Sequence, residues 1–121
     1  MIAQQKNNLM LGVSLILKEI KMIKHKFNAK PTEIDDIKFA SKKEAKRYAE
    51  LKLLKRAKEV IFFLRQVPFY LPGNTKYVLD FMVFWSNGEV TFEDVKGYKT
   101  RMYITKKKLI EDLYPIQITE I

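Results

Sequence analysis

The sequence predicts an α+β domain in which a central mixed sheet is flanked by helices, with one extra helix before it. Three observations carry this prediction. A capping-box pattern, Ser41 with Glu44 three residues later, begins a run of good helix formers. An Asn-Gly turn at Asn87 joins two stretches rich in β-branched and aromatic residues. A second helical stretch then separates this hairpin from a final alternating run.

The N-terminal part of the chain has a helical pattern over residues 8–27. Its apolar side chains follow a 4-3-4-3-4 spacing on one narrow face, namely Leu9, Val13, Ile16, Ile20, Ile23 and Phe27. A second stripe on the opposite side consists of Leu11, Leu15 and Met22. A helix that is apolar on two faces must be covered twice. The second cover is either a partner subunit, which suggests a homodimer, or the core of the same domain.

The segments that follow fit a small α+β domain over residues 28–121. Residues 28–37 read as an irregular connector, and residues 41–57 as a helix. Strands are expected over residues 60–71, 76–85 and 89–96, with Pro68 ending or offsetting the first of them. A helix over residues 105–113, with Thr105 as its N-cap, precedes a last strand over residues 116–121. The order is helix, three strands, helix, strand.

Composition limits the chemistry that this chain can perform. The 121 residues carry a formal net charge of +9 and contain no cysteine, which excludes disulfides, cysteine-bound zinc, iron–sulfur clusters and thiol catalysis. A single histidine, His25, disfavours a histidine zinc site or a catalytic triad. Any bound metal is therefore expected to be Mg²⁺ or Mn²⁺, held by carboxylates. The longest apolar stretch, residues 9–17, is too short to span a membrane and no cleavage site follows it, so we expect a cytoplasmic protein.

Three residues of the predicted hairpin form a candidate catalytic group. Alternation places Asp94 and Lys96 on one face of the third strand, about 7 Å apart. Asp80 lies in the adjoining strand among apolar residues, where a buried carboxylate needs a partner. A divalent metal between Asp80 and Asp94, with Lys96 beside it, is suited to phosphodiester hydrolysis. The alternative is a structural role, in which Asp94 forms an ion pair with Lys96 and Asp80 forms one with a nearby lysine or arginine.

A wider set of residues resembles a known superfamily. Asp80 followed by Glu93-Asp94-Val95-Lys96-Gly97, together with the order of elements, resembles the PD-(D/E)XK nucleases and their restriction-endonuclease-like αβββαβ core. Further motifs are similar to a phage-encoded group of small nuclease-like proteins of unassigned function, akin to Holliday-junction resolvases. These motifs are residues 37–45 and 50–54, Gln66-Val67-Pro68, Asp80-Phe81, and Asp94-Val95-Lys96-Gly97 with Thr100 and Tyr103. The resemblance covers about residues 25–121, and Leu79 replaces the superfamily's proline.

The resemblance implies a metal-dependent DNA endonuclease, with branched DNA as substrate in phage recombination or replication. It makes Asp80 and Asp94 the metal ligands and Lys96 the catalytic lysine, with Mg²⁺ or Mn²⁺ as cofactor. Glu44 would complete the acidic cluster, although the capping box alone justifies a glutamate there. Gln66 would contact the site, whereas Glu93 points away from it.

The basic surplus favours a polyanionic partner, most often nucleic acid, although a solvated lysine-rich surface is the simpler alternative. The expected DNA-binding residues form two patches: Lys42, Lys43, Lys46 and Arg47, then Lys99, Arg101, Lys106 and Lys107. Tyr98 is a candidate for stacking on an unpaired base, while Tyr103 is better suited to the core. The rival interpretations are an inactive DNA-binding or partner-binding protein with the same fold, and a nicking or flap nuclease.

Overall fold

The computed structural model describes residues 32–121 and, before them, Lys18, which is helical and exposed. The predicted two-faced helix over residues 8–27 therefore lies outside the described residues except at Lys18. The chain divides into two compact units, Met1–Val60 and Ile61–Ile121. Together the described elements form an α+β fold with two helices, a two-stranded sheet and a mixed four-stranded sheet, which confirms the predicted class.

The first unit contains a small hairpin where the sequence suggested an irregular connector. Strands β1 (Glu33–Ile34) and β2 (Ile37–Lys38) pair antiparallel through a two-residue turn. Both turn residues, Asp35 and Asp36, have positive φ angles of 52° and 62°, as a tight hairpin turn of this length requires. The connector prediction was wrong here because aspartate, unlike glycine, only occasionally adopts this conformation.

Helix α1 (Lys42–Arg56) begins as the capping box predicts. The Ser41 hydroxyl accepts a hydrogen bond of 3.0 Å from the backbone N–H of Glu44. The buried face of the helix includes Ala45, Tyr48 and Leu51, and the Tyr48 ring packs against Phe39 at a centroid distance of 5.0 Å. The helix therefore has an N-cap, a buried stripe and basic residues in its last turn, all of which favour its formation.

The four-stranded sheet consists of β3 (Val60–Leu71), β4 (Thr75–Trp85), β5 (Val90–Asp94) and β6 (Ile118–Glu120), in that order. β4 and β5 are antiparallel, and β5 and β6 are parallel, so the sheet is mixed as predicted. The third strand ends at Asp94, two residues earlier than the sequence suggested. Lys96 therefore lies just beyond the strand.

β3 is uninterrupted, which corrects the expectation that Pro68 ends or offsets it. Proline is tolerated because β3 is an edge strand of the described sheet, where one row of N–H groups has no strand to pair with. The irregularity lies instead at Gln66, whose φ of 51° is unusual within a strand. On either side of Gln66, half-buried and exposed side chains alternate along β3. The ring of Phe62 stacks on that of Phe84 in β4, with 4.2 Å between the ring centroids.

Helix α2 (Arg101–Leu113) starts four residues before the predicted position. Its N-cap is Thr100, which accepts a hydrogen bond of 3.1 Å from the Tyr103 N–H, so the assignment of Thr105 was wrong. The earlier start brings Tyr103 into the helix, seven residues before Ile110. Both side chains pack in a core with Leu79 and Ile118. In the described part of the chain, no helix is both long enough and apolar enough to cross a membrane.

Candidate active site

Strands β4 and β5 place Asp80 and Asp94 side by side. Phe81 lies opposite Glu93 in the antiparallel register, and Asp80 and Asp94 are the next residues along each strand. Asp80 is half-buried between two fully buried neighbours, Leu79 and Phe81. One of its carboxylate oxygens accepts a hydrogen bond of 2.9 Å from the Val95 N–H, so the end of β5 holds this side chain in place.

The second oxygen of Asp80 faces the irregular residue of β3. The Gln66 side-chain amide lies 3.5 Å from Asp80 Oδ1, which is the contact that the sequence suggested for this glutamine. Holding a non-glycine residue at positive φ costs on the order of 1–3 kcal/mol. The conformation that carries this cost also brings a hydrogen-bond donor to Asp80.

Asp94 is the most enclosed carboxylate of the site, with no solvent exposure. Its Oδ2 accepts a hydrogen bond from the Tyr77 hydroxyl, while its Oδ1 accepts none from the described residues. Burial, and a hydrogen bond shared with the Asp80 carboxyl, raise the pKa of Asp94 to about 7. The two carboxylates are thus close enough that keeping both ionised is unfavourable.

Lys96 lies next to this pair. Its Nζ is 3.8 Å from Asp94 Oδ1 and 5.0 Å from the centroid of the Tyr103 ring, which places the cation over an aromatic face. The Lys96 side chain is about one-third exposed, so one part of it contacts solvent while its ammonium group lies beside the buried Asp94 carboxylate. The structure therefore brings Asp80, Asp94 and Lys96 together within the second unit.

Glu120 is a further carboxylate at this end of the sheet that sequence reasoning did not select. It lies opposite Asp94 in the parallel pairing of β5 with β6, and it forms ion pairs with Lys99 and Lys107. Hydrogen bonds from Lys107 and Lys99 lower its pKa to about 2. Alternation along the last strand predicts that Ile116, Ile118 and Glu120 share a face. The parallel pairing that aligns Glu120 with Asp94 joins residues far apart in the chain, so this segment of the sequence alone does not predict it.

Two tyrosines border the carboxylates. Tyr77, also missed from the sequence, is buried and donates to Asp94, and burial followed by this hydrogen bond raises the pKa of its hydroxyl. Tyr103 packs in the core as expected, and burial together with the negative charge of Asp94 raises its pKa. Both hydroxyls therefore stay protonated at neutral pH. Tyr98, the stacking candidate, is 83% exposed.

Glu44 belongs to the first unit, whereas the carboxylates described above belong to the second. It lies in the first turn of α1, where it is buried and its backbone N–H donates to Ser41. Its membership of the acidic cluster stays a prediction. Glu93, which was expected to point away, is buried and lies 3.3 Å from the Thr91 hydroxyl.

The predicted DNA-binding residues differ in how far their charges are already compensated. Four of them contact carboxylates: Lys46 and Arg47 pair with Glu50, while Lys99 and Lys107 pair with Glu120. Lys42, Lys43 and Arg101 are exposed, and the Lys106 Nζ lies 3.5 Å from the Lys76 carbonyl oxygen. The pairs that Lys99 and Lys107 form with Glu120 lie beside the candidate site, whereas those of α1 belong to the other unit.

The geometry defines an α+β protein in which an aspartate in the middle of β4 lies beside an aspartate at the end of β5, with a lysine just beyond that end. Within residues 32–121 and at Lys18, no group of three or more acidic or histidine side chains is arranged to hold a metal ion. The chain belongs to the family described as "Protein of unknown function (DUF1064)", whose model matches residues 24–120. No curated protein matches the chain. Because this family carries no assigned activity, the nuclease resemblance stays a prediction.

Proposed function

We propose that this protein is a metal-dependent DNA endonuclease of the PD-(D/E)XK type. The observation that carries the proposal is the contact between Asp80 and Asp94, in which the fully buried carboxyl has a pKa near neutrality. Like charges this close destabilise one another unless a proton or a cation lies between them. A site that keeps two carboxylates together despite this penalty is suited to binding a divalent cation.

The donor atoms fit Mg²⁺. Both candidate ligands offer hard oxygen donors, and Asp94 Oδ1 is a buried oxygen to which the described residues donate no hydrogen bond. Mg²⁺ held by Asp80 and Asp94 would supply Lewis-acid polarisation of a phosphodiester and an activated water. Mn²⁺ has the same preference for oxygen ligands.

The chain's own residues have distinct roles in this proposal. The Val95 N–H and the Gln66 amide orient Asp80, and the Tyr77 hydroxyl orients Asp94. The Lys96 ammonium, which reaches solvent beside Asp94, offsets negative charge that develops on the phosphate or positions the attacking water.

The substrate proposal is DNA, and more narrowly branched or Holliday-junction DNA cut by a homodimer in phage recombination or replication. The net charge of +9 supports a polyanionic substrate, and two lysines, Lys99 and Lys107, pair with Glu120, which lies opposite Asp94. The junction, the dimer and the phage setting rest on the resemblance of the motifs. A homodimer would present paired sites to a branch point. The resemblance also implies that the protein works in the cytoplasm of a bacterial host.

The test compares cleavage of a labelled four-way junction with cleavage of matched linear duplex, in Mg²⁺ or in EDTA. Asp94→Asn and Lys96→Met should each abolish cleavage. Asp112→Asn removes an exposed carboxylate from α2 and serves as the charge-matched control, which should cut normally. Symmetric cuts in the junction alone support a resolvase, and cleavage of both DNAs supports a less selective nuclease.

The same experiment distinguishes the main rival. In an inactive DNA-binding protein, the Asp94–Lys96 contact would be a structural ion pair. Such a protein would bind both DNAs, cut neither in Mg²⁺ or Mn²⁺, and keep its affinity after Asp80→Ala. That result would overturn the nuclease proposal.

A further inference from the structure

A cleft beside the carboxylate pair has the character of an anion site. It has a volume of about 290 Å³ and lies between the start of β4 and the start of α2. We call it the lysine cleft, and it is lined by Lys76, Tyr77, Val78, Lys96, Thr100, Met102, Tyr103 and Lys106. Sites for small-molecule ligands span on the order of 300–1,000 Å³, so this cleft lies at the lower end of that range.

Three lysines give the cleft its charge, and no acidic side chain lines it among the residues that the structure describes. Lys106 is held across the cleft by its contact with the Lys76 carbonyl, and Lys96 enters from the side of Asp94. Concentrating like charges around a cavity is unfavourable in isolation, because each ammonium raises the potential felt by the others. An anion in the cleft would reverse the sign of this interaction.

The start of α2 adds backbone donors to the cleft. Thr100 uses its side chain to cap the Tyr103 N–H, and its carbonyl accepts from Ile104. The N–H groups of Arg101 and Met102 have no acceptor within the helix, and the helix dipole makes this end positive. Helix starts normally favour acidic residues, as α1 shows with Glu44, but the first turn of α2 contains none.

We propose that the lysine cleft binds a phosphate group of the nucleic acid strand, next to the phosphate that is cut at Asp80 and Asp94. This inference rests on the proposed function. Lys96 links the two sites, because it lines the cleft while its Nζ lies 3.8 Å from Asp94. A phosphate held by Lys76, Lys106 and the start of α2 would fix the position of the strand relative to the carboxylates.

The test measures DNA binding in EDTA, where no cleavage interferes, by the anisotropy of a labelled oligonucleotide over a range of salt concentrations. Lys76→Met and Lys106→Met should each weaken binding about tenfold. Each should also lower the slope of log K against log salt by about 1, the signature of one lost phosphate contact. Lys108→Met is the matched control, because Lys108 is exposed on the same helix but does not line the cleft.

Equal effects of all three substitutions would overturn the proposal, because they would reflect net charge alone. A second arm titrates inorganic phosphate and a deoxynucleoside monophosphate, and follows the amide NMR signals of Lys76, Thr100 and Lys106. If these NMR signals shift but Lys76→Met and Lys106→Met leave DNA binding unchanged, the cleft binds free phosphate and the proposal that it binds a nucleic acid strand is wrong. An altered salt slope in a protein that never cuts DNA would refute the nuclease proposal, and would show the lysine cleft to be a phosphate site of a protein that only binds DNA.

Discussion

Replacing Asp94 with asparagine should stabilise the metal-free protein at alkaline pH. The pKa of this carboxyl is about 7 in the folded protein and 3.8 in the unfolded chain. Below pH 4 both states hold the proton, so the folded state incurs no penalty. As the pH rises from about 4 to about 7, the unfolded state releases its proton first, and stability falls.

The size of this effect follows from the shift. Three pKa units at about 1.36 kcal/mol each give an upper limit of about 4 kcal/mol at pH 8. Local relaxation and the nearby Lys96 reduce that figure, so we expect Asp94→Asn to raise the free energy of unfolding by about 2 kcal/mol. The asparagine amide has the shape of the protonated carboxyl and can still accept from Tyr77, which already donates to this side chain.

The assay is urea denaturation in EDTA between pH 4 and pH 9, repeated with Mg²⁺. The gain from Asp94→Asn should be largest at pH 8 and close to zero at pH 4. Mg²⁺ should stabilise the wild type but not the variant, because only the wild type retains the ligand pair. Asp112→Asn should change stability by less than about 0.5 kcal/mol at every pH. If Asp94→Asn instead destabilises the protein equally across the range, Asp94 is a structural partner of Lys96 and the reasoning fails.

Two further predictions concern the neighbouring elements. Thr100→Ala should lower the free energy of unfolding by about 1 kcal/mol in thermal or urea denaturation, whereas Thr105→Ala should have little effect, because only Thr100 caps α2. Glu120→Gln should destabilise the protein at pH 7, and the difference from wild type should vanish as the pH falls from 4.5 to about 2, since the lowered pKa of Glu120 stabilises the fold only while it is ionised. The same substitution removes the shared partner of Lys99 and Lys107, so DNA binding in EDTA should tighten.

What the sequence predicted correctly depends on local rules. The Ser41 cap follows from a pattern four residues long, and the order of helices and strands follows from turn signals and periodicity. The two-residue repeat of a strand predicts that Asp94 and Lys96 lie on one side, and their side chains do lie together, although Lys96 is just beyond the end of β5. The Asn-Gly signal predicts the hairpin but not its register: a two-residue turn at 87–88 would place Asp80 opposite Val95, whereas residues 86–88 form a three-residue connection that places Asp80 opposite Asp94.

The features that the sequence did not predict depend on contacts between residues far apart in the chain. The hairpin of β1 and β2 has an Asp-Asp turn, and Asp35 accepts hydrogen bonds from Tyr48 and Lys52, thirteen and seventeen residues further along. These bonds lower the pKa of Asp35 and hold the turn against α1.

The start of α2 was misplaced for a similar reason. Thr100 and Thr105 are equally good caps by residue type, and packing decides between them. A helix that starts at Thr105 would leave Tyr103 outside it, although this side chain must reach the core together with Ile110. Such decisions depend on tertiary contacts, which a local pattern does not contain.

Three departures from ordinary stabilising rules lie around the carboxylate pair of the second unit. Asp94 is a fully buried carboxyl whose pKa is shifted against ionisation, and Gln66 holds a left-handed conformation in the middle of a strand. The first turn of α2 contains a basic residue, Arg101, and no acidic one, although acidic side chains would be stabilising there. Each departure costs free energy, and each places a functional group at the same location: a carboxylate, an amide donor to Asp80, and cations beside the lysine cleft. Proteins tolerate such conflicts mainly where function requires them, and their convergence favours a working phosphodiesterase site over a structural ion pair.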